Sequence, residues 1–113
     1  MVLMLQRANK PFENYWVLPG GFIGYSETTQ EAALREAKEE TGMNIGIERL
    51  IGAYRIDNDP RGVHIDIIYS GVSNNEVTLS KEHVSWKYFS PQKLPKLIAY
   101  KHREAIHDWG TNM

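Results

Sequence analysis

The stretch that most restricts how this chain can fold is residues 20–42, where a glycine-rich loop runs into a helix marked at both ends. Thr28-Thr29-Gln30-Glu31 reads as a capping box, in which a threonine hydroxyl accepts from the N–H three residues on and Glu31 reaches back to the threonine N–H. Ala32 to Glu40 are strong helix formers, and Gly42 stands where a left-handed C-terminal cap favours glycine. Ahead of them, Pro19-Gly20-Gly21 predicts a sharp turn whose backbone can approach a ligand closely, because glycine carries no Cβ.

At about 100° per residue, Glu36, Glu39 and Glu40 share one face of this helix within a single turn. Ala33, Leu34 and Ala37 fall on a neighbouring arc, predicted to pack, while Glu31, Arg35 and Lys38 lie opposite, predicted to be solvated. Like charges at this spacing cost about 0.2–0.5 kcal/mol per pair. A bound divalent cation reverses that sign, and magnesium takes oxygen ligands of this kind, usually one or two carboxylates with waters and substrate phosphates. A bare glycine carbonyl from the loop is a further donor. An isolated Glu-x-x-Glu-Glu is nevertheless most often a solvated surface, so the trio alone does not define a site.

The bulk numbers set the frame. A chain of 113 residues has the size of one domain with one core, and 42% apolar with 24% charged residues is ordinary globular composition. The formal charge of −1 gives no basic field for long nucleic acid. Without cysteine there are no disulfides, thiolate metal sites or thiol chemistry, and a reducing compartment is compatible. No apolar run reaches the roughly 20 residues that span a bilayer, and the opening Met-Val-Leu-Met-Leu-Gln-Arg is short for a signal peptide. The expectation is a single cytoplasmic domain over residues 1–113 that meets no membrane.

Strands are predicted at residues 2–6, around 16–18, at 45–56, at 63–72 and around 84–89, with Asp57-Asn58-Asp59-Pro60-Arg61-Gly62 as a turn between the third and fourth. The apolar spacing of Leu97, Ile98, Ala105, Ile106 and Trp109 predicts a second helix over 97–109, ended by Gly110. Strands interleaved with two helices make an α/β domain.

Read as one pattern, Gly21, five residues, Glu27, seven residues, then Arg35-Glu36-Ala37-Lys38-Glu39-Glu40-Thr41-Gly42 resembles the signature of the Nudix hydrolases at all its fixed polar and glycine positions. At typical usage of about 7% per position, chance agreement is on the order of 10⁻⁸. Ala37, where the family has a larger aliphatic residue, and Ser26, where glycine commonly stands, depart from the pattern without touching a carboxylate. The resemblance extends to Leu3 through Arg7, to Trp16 through Gly21 and to the region of Glu82 to Leu94. It implies the Nudix fold, a mixed β-sheet sandwiched between α-helices, with the signature as loop, helix and loop. Family domains begin with a strand ahead of the segment equivalent to Val2, so the expectation is a longer native chain or a homodimer sharing the open edge.

The resemblance further implies hydrolysis of the pyrophosphate bond in a nucleoside diphosphate linked to another moiety, with Glu36, Glu39 and Glu40 and the carbonyl of Gly20 or Gly21 holding Mg²⁺, for which Mn²⁺ can substitute. The general base in the family is a signature glutamate or one from a later loop; Glu39 is the first choice here and Glu82, four residues before Trp86, the second. Arg35, one turn from Glu39, is expected to orient it, and Glu27 to brace the loop against the helix start or to lie in the outer metal shell. Gly21 and Gly42 support the turn and the cap. Tyr15, Phe22, Tyr25 and Tyr54 are candidates for stacking on a base; His64, His83, His102 and His107 show no ligand spacing and read as structural.

The segments Arg7-Ala8-Asn9-Lys10-Pro11-Phe12 and Asp59-Pro60-Arg61-Gly62 look like those of small microbial ADP-ribose pyrophosphatases, which makes Arg7 and Arg61, with Phe22 and Tyr25, the expected substrate contacts. Val63 here intervenes before His64, where that group has histidine directly after the glycine. The alternatives are a MutT-like nucleoside triphosphate pyrophosphohydrolase and, of another class, a non-catalytic nucleotide-sensing Nudix module. Sensors often lose signature glutamates, and this chain keeps them all.

Overall fold

The structure is a computed structural model and describes residues 1–111. In chain order its elements are β1 (Val2–Arg7), β2 (Trp16–Val17), α1 (Thr29–Thr41), β3 (Gly46–Ile56), β4 (His64–Val72), β5 (His83–Phe89) and α2 (His102–Thr111). The apolar run of β1 takes the middle of a three-stranded sheet ordered β2-β1-β5, antiparallel on both sides, with Leu5 opposite both Val17 and Trp86. A register shift between Gln6 and Arg7 sets Arg7 against His83. β3 and β4 form a separate antiparallel hairpin. The parallel component of the architecture is a bridge between Trp16 and Ile98. The core gathers on Leu5, Val17 and Ala99, with Leu3, Phe12, Tyr15, Leu79 and Tyr100 packed around them.

Both ends of α1 form as the sequence predicts. Thr28 Oγ1 accepts from the Glu31 N–H at 3.1 Å and Glu31 Oε1 accepts from the Thr28 N–H at 2.8 Å. Gly42 closes the helix at φ 71° and donates to the Lys38 carbonyl at 2.9 Å. The packed face differs from expectation: Ala32, Glu40 and Thr41 are buried, whereas Leu34 is exposed. Two segments close over the last turn and cause this. Thr78 N–H donates to the Thr41 carbonyl and Ser80 N–H to the Glu40 carbonyl, at 2.8 and 3.2 Å, while the glycine loop covers Glu40 from the other side. The same 78–82 segment carries Glu82 toward the helix end.

The second helix starts at His102, five residues after the predicted start at 97, and Gly110 lies within it. Residues 97–99 are instead drawn out beside β2, with Trp16 N–H donating to Leu97 O at 2.9 Å and Ala99 N–H to Trp16 O at 3.0 Å. Tyr100 then sits at φ 57°, a left-handed conformation from which a right-handed helix cannot continue. α2 packs on β3, where Tyr54 Oη donates to Asp108 at 2.6 Å. That bond commits Tyr54 to the hairpin–helix contact and not to a ligand. Burial and the Asp108 carboxylate push the Tyr54 hydroxyl up to about 12.

Candidate functional site

Arg35 organises the signature. Expected on a solvated stripe, its half-buried side chain bends over the acidic face. Nε and Nη2 donate to the two oxygens of Glu27 at 2.5 and 3.0 Å, Nη1 donates to Glu36 at 2.8 Å and to Glu39 at 3.1 Å, and Nη2 also reaches the Phe22 carbonyl at 2.9 Å. A planar guanidinium with donors in fixed fork geometry suits this arrangement, in which one cation meets three carboxylates and a loop carbonyl. The bonds to Glu27 and Glu36 hold the Arg35 guanidinium well above its ordinary pKa. Conversely the Arg35 bond, then the Gly24 N–H at 2.6 Å, hold Glu27 below the usual carboxylate range. Glu27 thus ties the Gly24 main chain to Arg35.

Glu40 has a different environment. It is 4% exposed, and its Oε1 accepts from the Gly20 N–H at 2.8 Å. Burial pushes its carboxyl up to about 8, against the lowering effect of the Gly20 bond; the charges of Glu36 and Glu82 add to the rise and Arg7 opposes it. Those couplings place Glu36, Glu82 and Arg7 around Glu40. A Cβ at Gly21 would lie 2.5 Å from the Glu36 carboxylate, so a larger residue there would displace that side chain from its place beside Arg35.

Glu36 and Glu40 therefore meet the Gly20-Gly21 backbone, whereas Glu39, with a side chain 58% exposed, turns outward to Arg35. Among the described residues no group of three or more His, Asp or Glu converges as a metal cluster. The predicted trio is brought to one end of the helix but not to one point. The donor set nonetheless fits a hard divalent cation, being all oxygen, with two carboxylates against bare glycine backbone, one of them buried and, among the described residues, without a cationic partner within hydrogen-bond reach.

A second group stands across the loop. Arg61 is clamped by Asp59, with Nε–Oδ1 at 3.0 Å, Nη2–Oδ2 at 2.9 Å and its own N–H on Oδ1 at 2.9 Å; Nη2 also donates to Tyr100 Oη at 3.1 Å. The Arg61 bonds hold Asp59 below the usual carboxylate range, although its side chain is buried. The Arg61 guanidinium lies 5.5 Å from the centroid of the Phe22 ring, within reach of a cation–π contact. The expected contacts Phe22 and Arg61 are thus brought together. An open cleft of about 670 Å³ adjoins Arg61 and is lined further by Lys10, Pro11, Phe12, Glu13 and Pro60. Arg7 is held by its Nε bond to the Pro11 carbonyl at 2.7 Å, beside the same loop. Tyr25 is not brought in: its side chain stands fully in solvent at the loop tip. Tyr15 joins the core through Phe12, with ring centroids at 5.2 Å.

Sequence reasoning did not single out Asp59, Asp66, Tyr100 or His102 for the site. His102 Nδ1 accepts from the Leu18 N–H at 3.0 Å, immediately before the glycine turn. Its Nε2 faces Asp66 at 3.4 Å, and Asp66 faces His64 Nε2 at 3.3 Å. The signal available in the sequence was slight, a polar residue alternating with isoleucines at His64-Ile65-Asp66-Ile67.

Comparison with known proteins identifies the family. The model of the NUDIX domain matches residues 1–109. An ADP-ribose pyrophosphatase of Methanocaldococcus jannaschii is 38% identical over 110 residues, covering 96% of this chain and 64% of that protein. A putative 8-oxo-dGTP diphosphatase of Bacillus subtilis is 31% identical over 110 residues, covering 96% of this chain and 70% of that protein. In structure, the NUDIX domain of Shewanella oneidensis NrtR, solved in complex with ADP ribose, superimposes with a TM-score of 0.83 at 25% identity, covering 97% of this chain and 75% of that one. The chain belongs to the NUDIX family, and its fold is the Nudix fold. It spans 64% of the length of the M. jannaschii relative. Among the described residues no helix is long and apolar enough to cross a membrane.

Proposed function

We propose that this chain is a cytoplasmic Mg²⁺-dependent Nudix pyrophosphohydrolase acting on ADP-ribose or a related nucleoside diphosphate derivative. The observation that carries the reading is the Arg35 hub, which fixes Glu27, Glu36 and Glu39 around one guanidinium while Gly20 caps Glu40. Members of the family use divalent metal ions. Glu36 and Glu40, with the Gly20 carbonyl and Glu39, are the residues that would hold the ion, and a bound cation supplies neutralisation of pyrophosphate charge and polarisation of the leaving oxygen. Glu39, oriented by Arg35, takes the proton from the water that attacks phosphorus, as the P–O bond to the leaving phosphate breaks; Glu82 is the other candidate for that proton. Arg61 and Arg7 meet the phosphates or the terminal ribose, and Phe22 stacks on the ligand.

The names of the relatives favour two substrate readings, ADP-ribose from the M. jannaschii protein and an oxidised nucleoside triphosphate from the B. subtilis one. The chain keeps every signature glutamate, with Glu27, Glu36 and Glu39 held by Arg35 and Glu40 by the Gly20 N–H, which favours an enzyme over a nucleotide sensor. The test is turnover with Mg²⁺ of a panel containing ADP-ribose, NADH, diadenosine polyphosphates, sugar nucleotides and 8-oxo-dGTP. AMP and ribose phosphate from ADP-ribose are the expected products, and Glu39→Gln should lower kcat by a factor on the order of 10²–10⁴. A folded chain that turns over no member of the panel sinks the hydrolase reading; full activity in Glu39→Gln with collapse in Glu82→Gln moves the base to Glu82.

A further inference from the structure

We propose that His102 is a positioning residue for the glycine turn, acting through the Leu18 main chain; the inference rests on the hydrolase reading above. Between Val17 and Gly21 the turn reads Leu18-Pro19-Gly20, and proline has no N–H. Only Leu18 and Gly20 have main-chain donors to anchor it. Gly20 donates to Glu40 at 2.8 Å and Leu18 to His102 Nδ1 at 3.0 Å, so the turn hangs from two posts, one on α1 and the other at the start of α2.

The contact also defines the ring. A nitrogen that accepts from an N–H cannot carry a proton, so the neutral His102 ring has its proton on Nε2. That nitrogen faces Asp66 Oδ2 at 3.4 Å, and the other Asp66 oxygen faces His64 Nε2 at 3.3 Å. His64 Nδ1 in turn lies 3.7 Å from Asp59 Oδ2, the carboxylate that clamps Arg61. A chain of polar contacts therefore runs from Arg61 on the β3–β4 loop to the backbone that places Gly20 against Glu40. His102 is its last link, 9% exposed, 84 residues from the atom it holds. The role is orientation: His102 touches no reacting atom, and what it fixes is the direction of Leu18 and hence of the Pro19-Gly20 peptide.

Nitrogen-15 correlation spectra of the histidine rings in the full chain should show His102 protonated at Nε2 and bare at Nδ1, with a Leu18 amide protected from exchange. With ADP-ribose and Mg²⁺, His102→Phe should lower kcat roughly 10–100-fold with KM unchanged and with loss of Leu18 protection. His102→Asn, whose amide oxygen can stand near the place of Nδ1, should recover most of the rate. A proton on Nδ1, or an unprotected Leu18 amide in the unaltered chain, overturns the contact. Unchanged kcat in a folded His102→Phe, or equal loss in both variants, overturns the positioning role; if His102→Phe does not fold, the asparagine variant and the spectra decide. Failure of the unaltered chain to hydrolyse any nucleotide would instead overturn the hydrolase reading, and Leu18 protection in the two variants would then decide the His102 contact alone.

Discussion

Glu40 is a carboxylate placed where ionisation is disfavoured, and this gives the metal-free protein a specific pH response. Its folded pKa is raised from 4.5 to about 8 chiefly by burial, so the folded state binds more protons at this site than the unfolded state between those values. Stability from this group is full below about pH 4.5 and is lost as pH rises toward 8. The slope cannot exceed about 1.4 kcal/mol per pH unit for one proton. His83, whose pKa burial lowers, works in the opposite direction, losing stability as pH falls through its range. The difference between the native chain and Glu40→Gln isolates Glu40: thermal unfolding without metal should show the variant gaining on the native chain from pH 5 to pH 8 and running parallel to it above. A constant difference across that range would mean that Glu40 is ionised throughout. The spacing of the glutamates announced their shared face, since that follows from helical geometry alone. Neither the burial of Glu40 nor the turn of Arg35 was legible, because both depend on the loop of residues 20–27 folding back over the helix.

Elements are held by local chemistry where the sequence announces it. Replacing Thr28 with alanine removes the acceptor for the Glu31 N–H and should cost about 1 kcal/mol. Urea unfolding of Thr28→Ala should therefore show a lower midpoint at unchanged m-value, and an unchanged midpoint would mean that the capping box adds nothing once the helix is docked. The limits of α1 were readable because threonine, glutamate and glycine act within a few residues of one another. The strands were readable within a residue or so for the same reason, β4 starting at His64 against an expected 63 and β5 at His83 against 84. The start of α2 was not. Leu97 and Ile98 have apolar spacing that fits a helix, but their backbone pairs with Trp16, a partner about eighty positions away that no local pattern encodes. Sequence separation likewise hides Tyr100 and His102, whose partners Arg61 and Leu18 lie 39 and 84 positions away in other loops.

At the scale of the molecule the site is divided between two structural units. The signature loop and α1 carry the glutamates, and the β3–β4 hairpin carries Arg61 on a loop clamped by Asp59. They meet at Phe22, whose ring lies under Arg61 and whose carbonyl accepts from Arg35. Under the proposed function, such a division separates chemistry from selection: the glutamates would act on a pyrophosphate common to many nucleotides, whereas the hairpin loop would meet the linked moiety that distinguishes them. Arg61 is preorganised by its carboxylate fork, so little side-chain entropy remains to be lost on binding. Under the proposed function, Arg61→Ala should raise KM for ADP-ribose roughly tenfold or more, in line with about 1.5–3 kcal/mol for a hydrogen bond to a charged group, and leave kcat nearly unchanged. Arg61→Lys should not rescue it, because an ammonium cannot make the two-pronged contact with Asp59 that fixes the cation beside Phe22. Steady-state kinetics with ADP-ribose and 8-oxo-dGTP separate the outcomes. A KM effect confined to ADP-ribose supports selection by the hairpin; a fall in kcat for both substrates would mean that Arg61 serves the reacting phosphates and that the division between the two units is not functional.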